Sequence, residues 1–133
     1  MFFLEQNTRI SNPKGLIGCI VDFNILDHTL IPIRKFISTK HNLVEIVDGL
    51  KVFKGVASGQ VILFIDKKSS PNNKVRMKMG LDGNTELIHQ LKIRKSKNYK
   101  WNVGDSDDLV EKIEQNKKHL ESILKIFTCV AVY

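Results

Sequence analysis

Hydrophobic and polar positions alternate most regularly at 74–79, where Lys74, Arg76 and Lys78 interleave with Val75, Met77 and Met79. A period of two puts the three cations on one side of an extended strand and the three apolar side chains on the other. Residues 61–65 (Val-Ile-Leu-Phe-Ile) have no polar interruption, the pattern of a central strand covered on both faces. The run 16–23 is apolar and rich in β-branched residues and reads as a buried strand, which Asp22 and Asn24 begin to end. Residues 29–38 read as another strand, confined to an edge or a bulge by Pro32. Asp48-Gly49, set between the β-prone runs 43–47 and 50–53, is the favoured type I′ hairpin turn. Residues 7–15, punctuated by Pro13 and Gly15, read as an entry loop.

Downstream of the alternating strand, Asp82-Gly83-Asn84 reads as a three-residue hairpin loop leading into a partner strand over 85–95. That loop sets Met79 opposite Leu87, Met77 opposite His89 and Val75 opposite Leu91, with Arg76 facing Gln90 and Lys74 facing Lys92. Both strands then divide into an apolar and a basic face, a separation that a one-residue slip destroys. Thr85 as an N-cap, with Leu87, Ile88 and Leu91 at helical spacing, supports a helix instead. The alternation continuing through Leu91-Lys92-Ile93-Arg94 favours the strand. Residues 98–103 read as a further strand, and 128–133 as a last strand or an apolar tail.

The strongest helix signal lies at 107–127. Ser106 or Asp108 can cap it, Glu111 stands at capping-box spacing, and Val110, Ile113, Leu120, Leu124 and Phe127 form one stripe interrupted by Lys117. The stripe suits packing on the chain's own sheet; its 3–4 spacing also suits a coiled-coil-like homodimer. The predicted fold is one α+β domain over 1–133. It comprises a mainly antiparallel sheet or partly closed small β-barrel of about six or seven strands, with one long C-terminal helix packed on it.

Composition narrows the class. The 133 residues are 42% hydrophobic, too apolar for a disordered tail. No apolar run approaches the roughly 20 residues of a membrane-spanning helix, and Met1-Phe2-Phe3-Leu4 is too short for a secretory signal. Cys19 and Cys129 sit in apolar stretches and read as small buried hydrophobes in a reducing, cytoplasmic compartment, with a single disulfide left open. Abundant Lys, Ile and Asn beside only two alanines is the bias of an AT-rich coding sequence, as in low-GC bacteria and their phages.

The net charge of +7 changes the picture more, because it is localised. Residues 67–100 contain Lys67, Lys68, Lys74, Arg76, Lys78, Lys92, Arg94, Lys95, Lys97 and Lys100 against only Asp82 and Glu86, so the remainder is close to neutral. Concentrated positive charge attracts polyanions. The expected site is a basic hairpin face of Lys74, Arg76, Lys78, Lys92 and Arg94, extended by Lys95, Lys97 and Lys100. Tyr99 and Trp101 lie beside it as rings on which unpaired bases could stack. Against this, the two aromatics share the parity of Leu91 and Ile93, which points them to the core.

The leading functional expectation is a non-enzymatic module that binds nucleic acid or another polyanion. One alternative is an assembly subunit, such as a phage or mobile-element accessory protein, that meets an acidic protein or self-associates through its C-terminal helix. A second is a small nuclease using Asp22, Asp27 or His28. No two of His28, His41, His89 and His119 stand at metal-ligand spacing. Gly15-Leu16-Ile17-Gly18 lacks the helices of a KH loop, and Lys54–Gly59 lacks a P-loop's Gly-Lys-Ser/Thr ending. No cofactor or metal is expected.

Overall fold

The computed structural model describes residues 2–55 and 57–101. The predicted helix at 107–127, the stretch 128–133, His119 and Cys129 lie outside the described residues. In chain order the elements are α1 (Phe2–Ile10), β1 (Leu16–Asp22), two 3-10 turns (Phe23–Leu26 and His28–Leu30) and α2 (Ile31–Lys40). They continue with β2 (Asn42–Leu50), β3 (Gln60–Asp66), β4 (Lys74–Met79), β5 (Thr85–His89), α3 (Gln90–Lys95) and a 3-10 turn (Lys97–Tyr99).

The strands form one open sheet in the order β1-β3-β2-β4-β5, antiparallel at every pairing except the parallel pair β2–β4. This corrects the expected architecture: the sheet has five strands, not six or seven, and it is mixed. It does not close, since β1 and β5 stand at opposite ends. Its second layer is built by short helices, with Ile33 and Ile37 of α2, Ile93 of α3 and Leu4 of α1 in the same core as the sheet. No long helix fills that role among the described residues.

Two elements depart from expectation for local reasons. Residues 29–38 are helical from Ile31 onward, because Pro32 falls in the first turn, where a missing N–H costs nothing. Ile33 and Ile37, four apart, then face the core together. Residues 7–10 belong to α1, so the entry loop begins only at Ser11.

Asp48-Gly49 is not a hairpin turn. β2 runs through it, and between Val47 and Leu50 the strand gains one residue on β3, a β-bulge. The Asp48 carboxylate accepts the Gly49 N–H at 2.6 Å, and the Asp48 carbonyl accepts the Gly80 N–H at 2.7 Å. Gly49 sits at φ 73°, a left-handed conformation that explains the Asp-Gly pair as well as a turn would. Gly49→Ala should cost about 1–2 kcal/mol in a denaturant melt, chiefly from that φ. The Met79 sulfur, 2.6 Å from the added methyl, belongs to an exposed, flexible side chain that can move.

The sheet packs one face against the helices. Ile17, Val61, Leu63, Ile65, Leu43, Ile46, Val75, Met77 and Ile88 point into the helix layer. On the opposite face Ile62 and Phe64 of the internal strand β3 are half-buried while Val47, Leu50 and Gln60 are buried, so that face is covered only in part. β1 is an edge strand that buries only Ile17, not a buried strand.

The β4–β5 register is also shifted. Lys78 pairs with Thr85, Arg76 with Leu87, Val75 with Ile88 and Lys74 with His89. The innermost pair, Lys78 with Thr85, encloses residues 79–84 in place of 82–84, a register shift of three, and an odd shift reverses parity. Ile88 therefore enters the core while Leu87 stays 61% exposed. The strand then ends at His89, so 85–95 is strand followed by helix, and 98–103 is not a strand through Trp101.

Candidate polyanion-binding surface

The sheet divides the basic segment. Lys74, Arg76 and Lys78 alternate with buried Val75 and Met77 and therefore lie on the face away from the helices. Cross-strand partners there run in a row: Gly18, Phe64, Glu45, Arg76, Leu87. Arg76 is committed within this row, its Nη2 and Nε lying 2.9 and 3.0 Å from Glu45 Oε2. Lys78 donates to the Leu81 carbonyl. Lys74 is exposed at the start of its strand.

Lys92, Arg94 and Lys95 lie in the opposite layer, because α3 turns back onto α2. Gln90, the first residue of α3, is responsible. Its side-chain oxygen accepts the Leu43 N–H at 2.9 Å and Asn73 Nδ2–H at 2.6 Å; its side-chain nitrogen donates to the Ser38 and His41 carbonyls, both at 2.7 Å. All four of its hydrogen-bonding positions are used in a site 1% exposed. One amide thus joins β2, the β3–β4 loop, the end of α2 and α3. The Arg94 Nε donates to the Ser38 carbonyl at 2.6 Å, while Lys92 and Lys95 project to solvent.

α2 brings cations that the sequence window did not contain. Lys35 and Lys40 are exposed on it, and the Lys35 ammonium lies 5.9 Å from the Tyr99 ring centroid, a cation–π arrangement. The signal was present: no acid occurs between His28 and Val44. Only the helical form of 31–40 and its packing on α3 relate that stretch to 90–99.

Arg34, also on α2, is a basic residue used inside the protein. It donates to the carbonyls of Ile25 (2.7 Å), Asn98 (3.2 Å) and Tyr99 (3.2 Å), and to that of Asp27. These bonds tie both 3-10 regions to α2 and hold Asn98 and Tyr99 at φ 65° and 50°. Burial pushes the guanidinium pKa down from its ordinary value, with Asp27 opposing the shift. Arg34→Lys, which replaces the planar fork by a single ammonium, should cost about 1–2 kcal/mol in thermal unfolding.

The remaining residues of the expected site separate. Lys97 is exposed and Lys100 half-buried in the final turn, with the Lys100 N–H on Ser96 Oγ at 3.0 Å. Tyr99 is half-buried beneath Lys35. Trp101 is 2% exposed and donates its indole N–H to Ser38 Oγ at 2.9 Å, so its ring packs in the core and offers no surface platform.

Of the acids at 22–28, Asp22 has a structural role. Asp22 caps the first 3-10 turn, accepting the Asn24 N–H at 2.9 Å and the Ser58 hydroxyl. These two bonds, the Ser58 one first, hold its carboxyl below the usual carboxylate range. Burial pushes the Cys19 thiol up, away from nucleophilic reactivity at neutral pH. Among the described residues, no three His, Cys, Asp or Glu side chains are grouped to hold a metal ion. No helix among them is long and apolar enough to cross a membrane.

No protein-family model matches the chain, and no curated protein matches it in sequence.

Proposed function

We propose that the protein binds nucleic acid or a similar polyanion on the outer surface of its helix layer, with Lys35, Lys40, Lys92 and Lys95 as the principal contacts. One observation carries this reading. α2, α3 and the following 3-10 turn contain Arg34, Lys35, Lys40, Lys92, Arg94, Lys95 and Lys97 and not one Asp or Glu. Lysines on short, packed helices form a positive field with little internal neutralisation, which suits phosphate contacts without base reading. The β4 cations support the reading less well, since Arg76 is already paired with Glu45.

This surface favours a backbone-tracking contact over base stacking. Trp101 is inside, and Tyr99 is capped by Lys35 on one ring face. The test is fluorescence anisotropy with single- and double-stranded DNA and RNA at two salt concentrations, with polyglutamate as an acidic-polypeptide comparator. Salt-sensitive binding of the oligonucleotides supports the proposal. Tight binding of polyglutamate alone points to an acidic protein partner, and no binding to any probe overturns both.

A further inference from the structure

β1 closes one end of the sheet, and among the described residues no strand pairs with its outer edge. An edge strand presents a row of backbone donors and acceptors, which proteins ordinarily guard with lysine, proline or a bulge. β1 has none of these: Leu16-Ile17-Gly18-Cys19-Ile20-Val21 is uncharged and regular, pairing residue for residue with β3. The opposite edge, β5, is two residues shorter, carries Glu86 and His89, and runs directly into α3.

The side chains beside that edge are apolar. Leu16 and Ile20 are 62% and 51% exposed on the face away from the helices. Phe64 lies between them, its ring close enough over Gly18 that an added Cβ would come within 3.2 Å. Asp22 has the same parity and ends the strand, while Lys14 lies in the turn just before it.

We propose that β1 is a homodimerisation edge: two copies pair β1 antiparallel about a two-fold axis at Gly18, joining their sheets into one. A two-fold operator makes β1 its own partner. Centred at Gly18, the pairing sets Leu16 against the partner's Ile20 and Gly18 against the partner's Gly18, and it brings the turn that carries Lys14 to the end of the partner's strand at Asp22. Apolar meets apolar, and the flanking charges come near their opposites twice. A centre at Cys19 instead sets Asp22 against the partner's Leu16 and loses both matches. Gly18 on the axis sets no two side chains against each other there. Electrostatics permit the assembly, because β4 and its cations stand three strands away, about 14 Å at ~4.8 Å per strand.

Sedimentation of the full chain over a wide concentration range tests this. The expected mass is twice 15.2 kDa, falling to the single-chain mass for Ile20→Lys with the far-UV circular dichroism unchanged. Leu87→Lys, at the other edge, should leave the dimer intact, and Lys14→Glu should weaken it about three- to tenfold. Hydrogen exchange supplies a readout without mutation: amides of Leu16–Asp22 should gain protection with concentration. A single-chain mass at all concentrations overturns the proposal. So does an Ile20→Lys dimer as stable as the parent, or concentration-dependent protection confined to 85–89 or to 107–127.

Discussion

Reversing Lys35, Lys40, Lys92 and Lys95 to glutamate together is expected to abolish oligonucleotide binding while the protein still melts cooperatively. Each phosphate neutralised contributes about −0.9 to the slope of log affinity against log salt on duplex DNA. Four contacts therefore give a slope between about −3 and −4, and a fourfold rise in salt weakens the parent complex about a hundredfold. The glutamate variant should show no such complex at either salt concentration. The corresponding glutamine variant should bind weakly with a flattened slope, which separates lost attraction from added repulsion. Reversing Lys74, Arg76 and Lys78 is the internal comparison. Those cations lie beyond the sheet, so affinity should fall far less. Equal losses from the two sets would place the contact elsewhere.

The second large effect concerns Gln90. Gln90→Leu keeps the volume and removes both donors and acceptor, leaving the Leu43 N–H, one Asn73 N–H and the His41 carbonyl without their partners in a dry site. The Ser38 carbonyl keeps Arg94. Each buried group left unpaired costs about 1–3 kcal/mol, and part of this is relieved by water entry or local shifts. A loss of about 3–5 kcal/mol in urea unfolding is expected. Gln90→Glu is the sharper variant: it retains the acceptor but sets a carboxylate against the Ser38 and His41 carbonyls. Stability of that variant should rise as pH falls and the carboxyl protonates, because a buried carboxyl has its pKa raised. A leucine variant as stable as the parent would show that α3 is held by Ile93 and Trp101 packing alone.

Gln90 also shows why the site was only partly legible. A single polar residue at the start of an amphipathic stretch reads locally as solvent-facing. Its partners lie 17 to 52 positions away, in segments whose proximity no local pattern reports. The same holds for Lys35 and Lys40: their relation to Lys92 and Lys95 exists only because α3 folds back on α2. Arg34 counts toward the net charge, yet its four carbonyl partners hold it inside the protein. Trp101 is buried like Ile93, but strand parity is not the reason: a helix and a 3-10 turn separate them, and Leu91, of the same parity, is exposed.

What the chain determined by itself is local. The extents of β3 and β4, the inward set Val75 and Met77, the outward set Lys74, Arg76 and Lys78, and the concentration of charge all follow from period and composition. A period of two needs only the strand's own residues. Which strand pairs with which, and on which side a helix returns, depends on contacts far apart in sequence. The three-position shift of the β4–β5 register reversed the parity of β5, and β5 then leads into α3 in the helix layer. The tertiary structure therefore divided one basic segment between two faces and joined half of it to the lysines of α2.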